Sequence, residues 1–261
     1  MTLAYIFSGF AVGVLVGLTG VGGGSLMTPL LTLFFGVPPA VAVGTDLAFA
    51  SVTKAAGTLV HRFGDTVHWR SVKHLSFGAL PAAVLTTAAL GQFGTLDQHL
   101  GQIIRYSIAG SLLLTVIALL FQTRMQRWLN AHPEKHLNGT RLDISMVVAG
   151  AFLGTLVTVS SIGAGAVGAM LLILLQPQLT PAQIAGTDIA YAVPLTAIAA
   201  LGHWWLGSIN WDLLAILLLG SVPGITIGSM AARAVPKILL RTLLATTLAG
   251  VATMLIYPHN V

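Results

Sequence analysis

Apolar residues run along this chain in long blocks with short polar breaks, at about 3–19, 22–36, 40–61, 71–91, 103–121, 143–160, 163–176, 181–206, 211–232 and 236–257. A helix needs roughly 20 apolar residues to cross the hydrocarbon layer of a bilayer. Most blocks reach that length. Two do not: Gly22 to Phe35 and Gly163 to Leu175 would rise only about 20 Å as helices, and each follows a glycine-rich break. The pattern predicts an all-α polytopic membrane protein with roughly 8–10 membrane segments, two of them short broken helices. One extended polar stretch, Gln122 to Asp143, carries Arg124, Arg127, Glu134, Lys135 and Arg141. It reads as a loop over 122–142 between a first half, 1–121, and a second half, 143–261.

The halves repeat each other. At an offset of 141, Gly9, Gly13, Val21, Gly22, Gly24, Leu30 and Leu31 meet Gly150, Gly154, Ile162, Gly163, Gly165, Leu171 and Leu172. At 142, Pro39 meets Pro181, and Gly44-Thr45-Asp46 meets Gly186-Thr187-Asp188. Ala48, His61, Trp69, Gly78 and Pro81 then meet Ala190, His203, Trp211, Gly220 and Pro223 in the same register. Such fixed-offset self-similarity marks a structural repeat. Each half holds five segments, an odd number, so equivalent loops are expected on opposite sides of the membrane. The charges agree with the positive-inside bias. The loop 62–74 carries Arg62, Arg70 and Lys73, whereas its counterpart 206–210 carries no basic residue. Arg233, Lys237 and Arg241 mark an inside turn, and the matching 91–102 turn carries Asp97 and no basic residue. The halves are expected to be inverted repeats, with both termini external, the 122–142 loop cytoplasmic and the site at the midplane.

Composition narrows the function. The chain is 56% hydrophobic and 7% charged over 261 residues, against about 25% charged in a soluble domain, so a soluble enzyme and a disordered chain are excluded. The net charge of +5 lies in short loops, not on one aromatic-interleaved face, which speaks against nucleic acid. There are no cysteines, hence no disulfide, thiolate metal site or cysteine catalysis. No cofactor and no metal site is expected.

Polar residues inside the apolar blocks carry the candidate chemistry. A helix that begins within the membrane presents unpaired N–H groups and a positive dipole end, and glycine lets an anion approach the backbone. Gly22, Gly23, Gly24 and Ser25 in one break, and Gly163 and Gly165 in the other, are candidate anion-binding positions; tight helix packing is the plainer use of such small residues. Asp46 and Asp188, with Thr45 and Thr187 beside them, lie one to two turns into their helices. Intramembrane carboxylates usually mark an ion or substrate path, and both are candidates for proton coupling or for capping the neighbouring broken helix. Lys54 is the only lysine deep inside an apolar block; Lys73 and Lys237 stand at block starts. It shares a polar stripe with Asp46, Thr53, Gly57 and His61, and either binds an anion, pairs with Asp46 or snorkels to the interface. Because Lys54 lies on the helix of Asp46, and its repeat-equivalent is Thr196, proton coupling is expected to depend more on Asp188. His61 and His203 occupy matching helix ends and are further candidates for proton coupling. An interfacial place beside the tryptophans is the plainer reading of both.

With these residues in hand, the chain resembles the sulfite exporter TauE/SafE family over essentially its whole length. The resemblance rests on Gly20-Val21-Gly22-Gly23-Gly24, Pro29, Gly44-Thr45-Asp46-Leu47-Ala48 and the stretch His61 to Trp69, repeated more loosely at His203 to Trp211. It implies a multi-pass protein of the inner (plasma) membrane that moves small sulfur-containing anions such as sulfite or sulfonates. Family members often carry Ser where this chain has Asp46 and Asp188. The expected partners are a small anionic substrate, the lipid bilayer, and H+ or Na+ as a coupling ion. The rival readings are a passive anion channel and an intramembrane aspartyl protease. The latter needs Tyr-Asp and Gly-x-Gly-Asp contexts, and neither aspartate has one.

The charge asymmetry generates a topology prediction. Reporters fused at Val261 and near Asn138 should report opposite sides of the membrane; a same-side result refutes the inverted arrangement.

Overall fold

The computed structural model describes residues 2–19, 24–62, 67–93, 98–133, 137–231 and 237–256. Among these residues the fold is ten helices and no strand. They are α1 (Thr2–Thr19), α2 (Gly24–Leu33), α3 (Pro39–Arg62), α4 (Trp69–Leu90), α5 (Gln98–Asn130), α6 (Gly139–Ser160), α7 (Ala166–Leu175), α8 (Pro181–Trp205), α9 (Trp211–Ala231) and α10 (Lys237–Ile256). Four described stretches are long and apolar enough to span a bilayer: His99–Asn130, Gly139–Ser160, Pro181–Trp205 and Trp211–Gly228. The helices begin where local chemistry starts them. Pro39 and Pro181 open α3 and α8, where a missing N–H costs nothing. Thr180 adds a capping box: its hydroxyl accepts from the Gln183 N–H at 3.2 Å, and the Gln183 side chain accepts from the Thr180 N–H at 3.0 Å.

One boundary differs from the expectation. The 122–142 loop is helical as far as Asn130, and α6 already begins at Gly139. Arginine, glutamine and methionine are good helix formers, so the charges after Phe121 extend α5 rather than end it. At 33 residues it is about 50 Å long and outreaches the hydrocarbon layer, carrying Arg124 and Arg127 beyond it.

Glycine determines which helices touch. A Cβ on Gly9 or Gly13 of α1 would strike the backbone of Leu217 or Ser221 of α9. One on Gly220, Gly224 or Gly228 of α9 would strike Ile6, Phe10 or Val14 of α1. The numbers rise together, so α1 and α9 run parallel in close backbone contact. The same seam recurs between α6 and α4, where Gly150 and Gly154 meet Leu75 and Ala79, and Gly78 meets Val147 and Ala151. Without a hydrophobic driving force between helices in lipid, such small-residue seams hold them together. Each seam joins the first helix of one half to the fourth helix of the other.

The equivalent helices α3 and α8 meet at the centre. His203 near the end of α8 lies against Gly44 near the start of α3, and the Asn210 N–H just beyond α8 donates to Thr45 of α3 at 3.0 Å. The two helices therefore run antiparallel. So do α5 and α10, where Arg105 near the start of one donates to the Leu255 carbonyl near the end of the other at 2.8 Å.

Loading the seams should separate these glycines from those that face open space. Gly150→Val or Gly220→Val should lower the melting temperature in detergent by several degrees, an overpacking cost of about 1–3 kcal/mol or more. Gly101→Ala and Gly250→Ala, with nothing within 4 Å of an added Cβ, should leave it within about a degree.

Candidate functional site

The site is built around the break between α6 and α7. Helix α6 ends at Ser160, and Ser161 turns into the left-handed region with φ 59°. Gly163 and Gly165 follow at φ 125° and 143°, a backbone that side-chain-bearing residues rarely adopt. Backbone groups exposed by such a break must be satisfied within the protein. Ser160 accepts from the Ile162 N–H at 3.1 Å and receives the Ser111 hydroxyl of α5 at 3.0 Å. The Ala164 carbonyl accepts a hydrogen bond from Lys54 Nζ of α3 at 2.9 Å, and the Gly165 N–H lies near the Asp188 carboxylate of α8.

Asp46 approaches the same break from the other side. Its Oδ2 accepts the Thr28 hydroxyl of α2 at 2.6 Å, and Ser161 is close enough to interact with it. Even so, Asp46 Oδ1 and the Ser161 hydroxyl have no partner within hydrogen-bond distance. The same holds for Asp188 Oδ1 and the Tyr191 hydroxyl, which both press against Gly168 in the first turn of α7. Asp46 and Tyr191 are 0% exposed, Asp188 and Ser161 5%, and Lys54 6%. The structure thus brings Asp46, Lys54, Asp188 and Gly165 together, as a closed polar cluster inside an apolar core.

Lys54 stands elsewhere than expected. It is neither confined to Asp46 nor snorkelling: it is buried and lies within Coulombic range of both carboxylates. The reason is the antiparallel pairing. Lys54 follows Asp46 by eight residues, about 12 Å along the helix, and that displacement brings it level with Asp188 on the opposed helix. The argument that placed proton coupling on Asp188 because Lys54 neighbours only Asp46 therefore fails.

Other candidates make their contacts outside this cluster. Thr45 accepts from the Asn210 N–H, and Thr187 accepts from the His68 N–H at 2.9 Å. Both threonines thus tie a central helix to the loop of the other half. Gly163 lies against Leu156 and Val157, a packing contact. His203 is 1% exposed, against the expectation of an interfacial residue; its ring meets the Ser208 hydroxyl and the Thr158 carbonyl, both at 2.9 Å. Gly22 and Gly23 lie outside the described residues, as do the side chains of His61 and Ser25; Gly24 is the first residue of α2. Sequence reasoning missed Thr28, Ser161 and Tyr191 as site residues. Tyr191 was discoverable: its repeat-equivalent is Phe49, so a hydroxyl appears in one half alone.

The family model described as Sulfite exporter TauE/SafE matches residues 5–255. This chain belongs to the TauE/SafE family. It is 37% identical over 229 residues to the probable membrane transporter protein YjnA of Bacillus subtilis (strain 168), covering 88% of this chain and 89% of that protein. It is 25% identical over 249 residues to YdhB, a probable membrane transporter protein of the same organism, covering 95% and 97%. No solved structure matches it. The TauE/SafE chain is a multi-pass membrane transporter. A transporter family speaks against the protease reading of its two aspartates.

The Thr28–Asp46 bond predicts a stability effect. Thr28→Val removes the hydroxyl donor of a buried carboxylate and should destabilise by about 1–3 kcal/mol, read as a fall of several degrees in melting temperature. Thr32→Val, which removes hydroxyl bonds only to carbonyls of its own helix, should cost less.

Proposed function

We propose that this chain is a secondary transporter that moves a small sulfur-containing anion, sulfite or a sulfonate, across the plasma membrane. Its two halves act as inverted repeats, and the anion binds between them at the α6–α7 break. The antiparallel pairing of α3 with α8, and of α5 with α10, supports the inverted reading. The family's name supports the substrate class.

One observation carries the mechanism: the first turn of α7 already lies against a carboxylate, that of Asp188, whose Oδ1 rests beside Gly168. The N-terminus of a helix is an anion site, and here a side chain of the protein occupies it. A substrate anion competes with Asp188 for that place. Fully ionised, the cluster of Asp46, Asp188 and Lys54 holds one negative charge in excess, and a bound anion adds another. Burying such an excess is costly, so anion loading proceeds with uptake of a proton on the aspartate pair. The neutral acid then leaves the helix N-terminus to the substrate. Binding is coupled to protons in a definite sense: it tightens as pH falls, by up to about tenfold per pH unit for one coupled proton.

The test is sulfite uptake into proteoliposomes across a range of pH, with melting temperatures in sulfite as the binding measure. The wild type should take up sulfite faster when the loading side is acidic. Asp188→Asn should still be stabilised by sulfite while its uptake loses pH dependence. Full activity with an unchanged pH profile in Asp188→Asn refutes the coupling and leaves Gly-Thr-Asp as a structural cap. A sulfite flux indifferent to pH in the wild type favours a passive channel.

A further inference from the structure

Lys54 is not arranged like a substrate ligand. Its Nζ sits on a backbone carbonyl, that of Ala164 at 2.9 Å, with the carboxylates of Asp188 and Asp46 within Coulombic range. Four more oxygens without partners belong to the same buried cluster: Asp188 Oδ1, Asp46 Oδ1, the Ser161 hydroxyl and the Tyr191 hydroxyl. Carboxylates, hydroxyls and a carbonyl from an unwound helix form a hard-oxygen donor set, which suits a small hard cation. The break serves both charges: the Ala164 carbonyl turns to the ammonium, and the first turn of α7 lies against the Asp188 carboxylate. The equivalent of Lys54 in the second half, Thr196, bonds the Ala192 carbonyl of its own helix at 2.8 Å and supplies no charge. One cation therefore serves both carboxylates.

We propose that the Lys54 ammonium is a tethered cation seated in an oxygen-lined monovalent-cation site between the halves, and that removing it opens this site to sodium. The proposal rests on the coupled-transport reading above and narrows the coupling ion to the proton, because the place a sodium ion would take is filled by the chain itself. The physical reason is the same charge balance. Without Lys54 two buried carboxylates are left without its charge, a costly state that a bound sodium ion relieves.

The experiment measures melting temperatures of the full-length detergent-purified protein in sodium chloride and in choline chloride at equal ionic strength. The wild type should melt alike in both. Lys54→Ala should melt higher in sodium than in choline by about 5 °C or more, since a ligand that binds only the folded state stabilises it. Lys54→Arg keeps a tethered cation and should show no such difference, and Lys54→Ala with Asp188→Asn should lose the sodium gain. The proposal is overturned if Lys54→Ala melts alike in the two salts, if the wild type gains as much from sodium as the variant, or if Lys54→Ala cannot be recovered folded even in sodium. No substrate is present in these melts, so failure of sulfite to bind or move would refute the transport reading and leave this result standing.

Discussion

A carbonyl exposed by an interrupted helix has no water to turn to inside a bilayer, and the Lys54–Ala164 hydrogen bond is this protein's answer to that constraint. The bond spans the halves, from α3 of the first to the break of the second. Its donor is a charge, which must itself be compensated in an apolar core, and Asp188 and Asp46 compensate it. Each carboxylate then needs a partner: Asp46 takes the Thr28 hydroxyl, and Asp188 lies against the first turn of α7. The site is thus a chain of obligations that begins with a broken helix. Glycines at 163 and 165, in a backbone region that other residues avoid, make the break possible.

The repeat separates scaffold from chemistry. Apart from Asp46 and Asp188, the parts that occur twice are structural: the glycine seams α1–α9 and α4–α6, and the threonine ties from Thr45 to Asn210 and from Thr187 to His68. Parts that occur once gather at the site. Lys54 stands against Thr196, Tyr191 against Phe49, and Thr28 against Ala169. A symmetric frame can be duplicated without loss, whereas a site that binds one asymmetric ligand gains from having its two walls differ.

Most helix boundaries were legible because apolar runs, Pro39 and Pro181 state them locally. So was the repeat, since Gly-Thr-Asp and its followers keep one register. The loop expected over 122–142 failed on the assumption that charge ends a helix, when Arg124 and Arg127 sit on a good helical stretch of α5. Pairing was not legible. Gly9 and Gly150 are recognisable equivalents, but nothing local says that each meets the fourth helix of the other half. That omission misplaced Lys54: its place on the helix of Asp46 was legible, and Asp188 on an antiparallel neighbour was not. His203 was misjudged for a related reason, because its partners, Ser208 and the Thr158 carbonyl, are brought to it only by tertiary packing.

The two threonine ties bear on how such a frame can move. Each joins the N-terminal part of a central helix to the residues just before the fourth helix of the opposite half, and because α3 and α8 are antiparallel the ties lie at opposite ends of the molecule. If the halves rock, opening one end breaks one tie and preserves the other. The two ties are the same bond made twice, an N–H to a threonine hydroxyl at 3.0 and 2.9 Å, so their contributions nearly cancel between the two open states. A pair of states balanced in this way can be shifted by a modest difference in affinity at the site. On the proposed transport reading, the asymmetry of Lys54, Tyr191 and Thr28 then decides which side is open, without a large energy difference built into the frame.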